Sequence, residues 1–95
     1  MNKTLDTSTW FFMEITVELP NGQRDLYKLL STLNNHKHET YDETYRRRPD
    51  KRGRMGYREA NISLWVDPAD YRGLCITLGK WPGTAKYTTI KPGKQ

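Results

Sequence analysis

Two segments of the chain alternate strictly between apolar and polar side chains, and this pattern constrains the fold more than any other feature of the sequence. The apolar positions of the two segments are Met13, Ile15, Val17 and Leu19, and then Ala60, Ile62, Leu64 and Val66. A period of two residues is typical of strands that bury one face and expose the other. We therefore expect strands over residues 9–19 and 54–66, in a sheet with one covered face.

A stripe of leucines predicts the helix that covers this face. Leucines at positions 26, 29, 30 and 33 follow the spacing i, i+3, i+4 and i+7, which places them on one side of a helix. Pro20-Asn21-Gly22 forms a turn before the helix, and Asn34 and Asn35 are suited to its end. A helix of about 11 residues is roughly 16 Å long. Because so short a helix is not stable alone, it must pack on the sheet.

The remaining segments are predicted as strands and turns. Residues 38–48 favour a strand because they are rich in threonine and tyrosine, although a helix stays open, and Tyr41 and Tyr45 share a face in either. Residues 67–73 are rich in turn formers. Residues 74–81 are predicted as a strand, because Leu74, Ile76 and Leu78 alternate, and residues 86–90 as a short final strand.

These elements predict one α+β domain over residues 9–90, with flexible termini at 1–8 and 91–95. The expected architecture is an antiparallel sheet of four to five strands with one short amphipathic helix packed on one face. Residues 38–48 and 54–66 then form a long hairpin whose connecting loop projects from the core.

Positive charge is concentrated in that projecting loop. The chain carries a net charge of +5, and the window 46–58 alone carries +6 because only Asp50 opposes its basic residues. The basic residues of the window are Arg46, Arg47, Arg48, Lys51, Arg52, Arg54 and Arg58. Arginine presents a planar donor fork that suits phosphates and carboxylates and that also stacks on rings.

Tyrosines lie beside these arginines. Tyr45 and Tyr57 flank the basic window, and Tyr41 lies nearby. They could stack on bases while the arginines hold phosphates, or they could pack across the hairpin and stiffen it. The sequence therefore predicts a binding site made of the seven basic residues with Tyr45 and Tyr57.

Two functions fit this pattern. The first is a domain that binds DNA or RNA through its phosphates with low sequence specificity. The second is a small inhibitor or adaptor, of the kind a virus or mobile element encodes, that inserts the basic hairpin into an acidic or nucleic-acid-binding cleft of a protein complex. In that case Trp65, Trp81 and Tyr71 are candidate anchors.

Catalytic and metal-binding chemistry have weak support. His36 and His38 with Glu39 lack a second ligand cluster, and the spacing around Gly79-Lys80 does not match a phosphate-binding loop. A small ribonuclease, which could use histidine, tyrosine and arginine, is a minor alternative. We expect no enzyme activity, no metal and no cofactor.

The cellular setting follows from what the chain lacks. Cys75 is its single cysteine, so no intrachain disulfide can form, and a reducing compartment is favoured. No apolar run is long enough to span a membrane. We expect a cytoplasmic protein with no membrane partner.

Overall fold

A computed structural model describes residues 8–92 as two helices packed on a four-stranded sheet. In chain order the elements are β1 (Phe11–Glu18), α1 (Gln23–Asn34), β2 (His38–Pro49), β3 (Met55–Val66), α2 (Pro68–Gly79) and β4 (Ala85–Ile90). The spatial order of the strands is β2-β3-β1-β4, and every neighbouring pair is antiparallel. The fold class is α+β, as predicted.

The core lies between the sheet and the two helices. The apolar positions of both alternating segments are buried and pack against the leucine stripe of α1 and the buried residues of α2. In the register between β1 and β3, Met13 lies opposite Leu64 and Ile15 opposite Ile62. Burying a side chain of this size contributes about 1.5–3 kcal/mol. This gain explains why the two alternating segments form β1 and β3 at the centre of the sheet.

Helix α1 begins at a turn that a buried carboxylate stabilises. Gly22 precedes the helix with a φ of 60°, a conformation that favours glycine. Asp25 lies in the first turn and is 3% exposed, and its Oδ2 accepts from the backbone N–H of Asn21 at 2.7 Å. The bond ties the Pro20-Asn21-Gly22 turn to the helix and satisfies a carboxylate that the core would otherwise exclude.

Helix α2 corrects two predictions. Residues 74–81 were expected to form a strand and the fold to contain one helix, but Pro68–Gly79 is helical. Leu74 and Leu78 are buried one helical turn apart, whereas Ile76, between them, is 50% exposed. Asp67 caps the helix by accepting from the backbone N–H of Ala69 at 3.0 Å. The sheet accordingly has four strands and the fold has two helices.

Two bulges decide which side chains reach each face of the sheet. The first lies between Thr40 and Asp42 and adds Tyr41 to β2, and the second lies between Arg46 and Arg47. A bulge breaks the alternation of side chains. Tyr41 therefore packs on the open face of the sheet, whereas Tyr45 lies opposite the buried Ala60 and packs against the core. The prediction that Tyr41 and Tyr45 share a face was wrong.

The chain ends lie mostly outside the described residues. The predicted flexible termini, 1–8 and 91–95, include only Ser8, Lys91 and Pro92 of the part that the structure describes. Lys91 contacts two rings, since its Nζ lies 5.4 Å from the ring centre of Phe11 and 5.9 Å from that of Tyr71. Neither helix of the described chain is long and apolar enough to cross a membrane.

Candidate nucleic-acid interface

The register of the central strands leaves one end of the β2–β3 hairpin beyond the sheet. Strand β1 pairs with β3 only as far as Glu18, which lies opposite Glu59. Beyond this level β3 pairs with β2 alone, over Met55–Arg58, which adds about 13 Å at roughly 3.3 Å per residue. We call the segment Arg47–Arg58 the tip. At its base, the backbone N–H of Leu19 donates to the carbonyl oxygen of Arg58 at 2.8 Å.

The turn at the end of the tip is held by the acidic residue of the basic window. Asp50 Oδ1 accepts from the backbone N–H groups of Arg52 at 2.8 Å and Arg54 at 2.9 Å. These bonds, first that of Arg54 and then that of Arg52, hold the pKa of the Asp50 carboxyl below its usual value. Gly53 has a φ of 79°, a left-handed conformation. Asp50 therefore binds the backbone of the turn through one carboxylate oxygen, Oδ1.

Most basic side chains of the window are free to contact a partner. Arg46 forms the one ion pair found among residues 8–92, with its Nε 3.5 Å from Glu59 Oε2. The guanidinium of Arg47 lies 5.4 Å from the ring centre of Tyr57. No carboxylate pairs with the other five within the described chain, and four of them are exposed. Those five are Arg48, Lys51, Arg52, Arg54 and the half-buried Arg58.

The arginines lie on both sides of the tip. Successive residues of a strand point to opposite faces. Arg47 lies opposite Tyr57, which packs against the core side, and Arg48 lies opposite Gly56. The sequence predicted that these charges lie together in a projecting hairpin. In the structure the arginines lie on both faces of that hairpin, so a flat partner would meet only part of the charge.

The two tyrosines of the predicted site stiffen the hairpin. The rings of Tyr45 and Tyr57 meet edge to face, with centres 6.0 Å apart, and both pack against the core cluster. Burial is the main cause that raises the pKa of Tyr45 to about 12, and its hydroxyl also donates to Glu43 at 3.1 Å. The second bulge brings Tyr57 to the core side of the hairpin, the side on which Ala60 lies. The packing alternative is the one that the contacts favour.

The three candidate anchors lie in different surroundings. Trp81 is buried, and its Nε1 donates to the carbonyl oxygen of Glu18 at 2.7 Å, so its place as an exposed anchor was wrong. Tyr71 packs edge to face on Phe11 and shares a hydrogen bond with Thr89 at 3.0 Å. Trp65 alone of the three lies on the open face, half-buried.

His36, His38 and Cys75 make contacts that support the fold. His36 Nδ1 lies 2.8 Å from the carbonyl oxygen of Thr32, and His38 Nδ1 lies 2.8 Å from that of His36. No cluster of three metal-ligating side chains occurs in the part of the chain that the structure describes. Cys75 lies on α2, and its hydrogen bond with Tyr87 is the main cause that raises the pKa of that phenol to about 12.

Sequence reasoning missed an aromatic cluster on the open face. The rings of Phe12, Tyr41 and Trp65 are mutually edge to face, with centres 5.3–5.8 Å apart. The polar-side positions of the alternating segments already contained Phe12 and Trp65. The missing signal was the register, which sets Phe12 directly opposite Trp65.

The fold itself is a common one. An order of β-α-β-β-α-β in an antiparallel sheet with both helices on one face is the ferredoxin-like, or split βαβ, arrangement. This class of fold hosts many unrelated functions, so the site must carry the functional argument.

Two solved structures are similar to the chain to different degrees. The C-terminal domain of the MgtC protein from Mycobacterium tuberculosis has a TM-score of 0.53 and 13% sequence identity, with 93% of this chain and 95% of that chain covered. An uncharacterized protein from Thermotoga maritima, TM1266, has a TM-score of 0.46 and 18% identity over 86% of this chain and 94% of that one. At such identity the likeness to the MgtC domain concerns the fold alone. The chain matches no known protein family and no curated protein.

Proposed function

We propose that the protein is a non-enzymatic domain that binds nucleic acid by laying its basic tip against the phosphate backbone. One observation carries the proposal: five exposed basic side chains project beyond the sheet in the tip, with the half-buried Arg58 at its base, and the acidic residue among them is engaged by the turn. Phosphates are held by such unpaired guanidinium groups through charge-assisted, often bidentate hydrogen bonds. The domain would act in the cytoplasm, where Cys75 stays reduced.

Low sequence specificity follows from the same arrangement. The tip offers charge without a helix or an open aromatic surface of its own, because Tyr45 and Tyr57 pack inward. Contacts to phosphates position a protein but carry no direct sequence information. Binding should therefore depend steeply on salt, and DNA and RNA of different sequence should differ little.

The test compares two triple variants that remove the same charge. The tip variant replaces Arg48, Arg52 and Arg54 with glutamine. Its matched control replaces three exposed basic residues of the helical side, Arg24, Arg72 and Lys80, with glutamine. Binding of labelled single- and double-stranded DNA and RNA is followed by fluorescence anisotropy at several salt concentrations.

The expected magnitudes follow from counterion release. With about six phosphate contacts, affinity should fall on the order of 10³-fold between about 50 and 200 mM salt. The tip variant would keep about three contacts, so its affinity should fall by about 40-fold over the same salt range. The control should keep the wild-type salt dependence. Absence of binding to any nucleic acid at about 50 mM salt, or equal slopes in the two variants, would contradict the proposal.

A second function is favoured by the two-sided distribution of charge. Because Arg47 and Arg48 flank opposite faces of the tip, a cleft that encloses the hairpin would contact more of them than a flat surface would. This fits an inhibitor or adaptor of the kind that viruses or mobile elements encode, inserted into an acidic or nucleic-acid-binding cleft of a protein complex. Capture of one stoichiometric protein partner after nuclease treatment, lost in the tip variant and kept in its control, would support it over the first function.

A further inference from the structure

The open face of the sheet combines aromatic rings with carboxylates at the end remote from the tip. One row of paired residues contains Glu39, Trp65 and Phe12, and the next contains Asp42, Ser63 and Glu14. Tyr41 reaches the same face through the first bulge and is 67% exposed. We call the six residues Phe12, Glu14, Glu39, Tyr41, Asp42 and Trp65 the acidic aromatic surface.

The chemistry of this surface suits arginine. Its three carboxylates are free of ion pairs within residues 8–92, and neither row places a lysine or an arginine among its paired positions on β2, β3 and β1. Aromatic faces attract guanidinium groups, and carboxylates bind them through two parallel hydrogen bonds. Three negative charges would repel a phosphate backbone, so nucleic acid is the poorer occupant.

The tip is a cationic segment that matches this surface, but it cannot reach the acidic aromatic surface of its own molecule. The tip continues the same hairpin whose other end forms the acidic aromatic surface. Glu59, at the base of the tip, and Trp65 are six residues apart on one strand, or about 20 Å. A straight strand cannot fold back over its own sheet, so the complementary charges can meet only between two molecules.

We propose that two copies of the chain form a reciprocal dimer in which the tip of each lies on the acidic aromatic surface of the other. A twofold axis near the level of Glu59, lying parallel to the sheet and across its strands, would set the two open faces toward each other. Each tip, about 13 Å beyond Glu59 plus its turn, would then overlie the partner's sheet from the level of Glu59 to the acidic aromatic surface, whose row with Glu14 and Asp42 lies about 13 Å from Glu59. Such an interface is isologous, as in most small oligomers.

The contact is smaller than a standard interface, so we expect a weak dimer. Each copy contributes the one side of its tip that faces the partner, together with the residues of its open face. A standard interface takes about 20–30 residues from each side. Its electrostatic part should make the dimer sensitive to salt.

The test is a charge exchange between two variants. In the surface variant Glu14, Glu39 and Asp42 are replaced by lysine, and in the reversed-tip variant Arg48, Arg52 and Arg54 are replaced by glutamate. The mass of each protein, alone and mixed, is measured by sedimentation over a dilution series at low and high salt. A control variant carries Arg24→Glu, Arg72→Glu and Lys80→Glu on the helical side.

The expected pattern is specific to reciprocal docking. Wild type and the control variant should dimerise at low salt, and each exchange variant alone should be monomeric. An equimolar mixture of the two exchange variants should form a heterodimer, because both of its contacts then join opposite charges. A monomeric wild type at low salt and high protein concentration, or dimers that persist in both exchange variants, would overturn the proposal.

A third outcome separates this proposal from nucleic-acid binding. Replacement of Tyr41 and Trp65 by alanine should weaken the dimer and leave the oligonucleotide affinity of the monomer, measured at high dilution, unchanged. If the double variant instead loses oligonucleotide binding while the wild type stays monomeric, the open face is a base-stacking surface and the dimer proposal is wrong. Failure of the dimer alone would leave the salt-dependent binding by the tip intact.

Discussion

Glu59→Gln should increase affinity for nucleic acid, because Glu59 neutralises the one arginine of the basic window that is held in an ion pair. Arg46 Nε lies 3.5 Å from Glu59 Oε2, with the side chains 66% and 31% exposed. The glutamine oxygen can still accept from Asn61, which donates to Glu59 at 3.2 Å. An exposed pair is worth about 0.2–1 kcal/mol, so the fold should tolerate the change.

The expected gain follows from one additional phosphate contact. Each contact adds about 0.9 to the slope of log affinity against log salt. The freed Arg46 should therefore steepen the slope by about 0.9 and tighten binding up to about eightfold at about 0.1 M salt. Arg46→Gln should leave the slope of the wild type nearly unchanged, since its guanidinium is already occupied.

The assay is fluorescence anisotropy of one labelled oligonucleotide at four or more salt concentrations. Glu43→Gln is the matched control: it removes the same charge from β2, but its carboxylate accepts from Tyr45 and pairs with no arginine. The reasoning would be refuted if both glutamate variants steepened the slope equally, which would mean that only net charge matters. It would also be refuted if Arg46→Gln lowered the slope by a full contact.

Three further outcomes test the packing and the turn. Trp81→Ala should lower the free energy of unfolding by about 3–5 kcal/mol in urea titration, because its ring is buried, while Tyr41→Ala should cost far less. Gly53→Ala should cost about 1–2 kcal/mol because φ is 79° there, whereas Gly79→Ala should be near neutral, since a Cβ meets nothing within 4 Å at either position. The carboxyl of Asp50 has a depressed pKa, so its contribution is complete above the usual pKa and is lost as pH falls through the lowered value. The amide shifts of Arg52 and Arg54 in nuclear magnetic resonance spectra should titrate at that low pH in the wild type and stay constant in Asp50→Asn.

The central strands and the first helix could be predicted because their burial pattern is one-sided. Every apolar position of the two alternating segments is buried, and Leu26, Leu29 and Leu33 of the stripe are buried as well. When an element buries only one face, a strict period of two residues predicts a strand and a period of 3.6 residues predicts a helix. The final strand predicted over residues 86–90 is confirmed, and residues 38–48, for which a strand was favoured and a helix left open, are a strand.

Helix α2 was missed because two periods coincide in it. Leu74, Ile76 and Leu78 alternate as a strand would, but Tyr71, Leu74, Cys75 and Leu78 also follow helical spacing. The decisive signal lay upstream, where Asp67-Pro68 supplies an N-cap and a proline at the first helical turn. Reading residues 67–73 as a turn discarded that signal.

Alternation alone could not show which side chains lie on which face of the hairpin. A bulge interrupts the alternation and leaves no periodic signal in the sequence. The bulge at Tyr41 moves one aromatic ring to the open face, and the one beside Arg46 turns Tyr57 toward the core. The predicted arginines lie in the projecting tip, apart from Arg46 at its base. Their division between two sides, and the pairing of Arg46 with Glu59, required the register.

The two proposals place the same side chains in competition. A tip that lies on the acidic aromatic surface of a second copy cannot also contact phosphates, so dimer formation and nucleic-acid binding are linked equilibria. Because only the monomer then exposes a free tip, the apparent oligonucleotide affinity must fall as protein concentration rises through the dimer dissociation constant, and added oligonucleotide must dissociate the dimer. Salt weakens both contacts, but the dimer pairs carboxylates with arginines in a partly enclosed surface, where screening is weaker than around an exposed phosphate backbone.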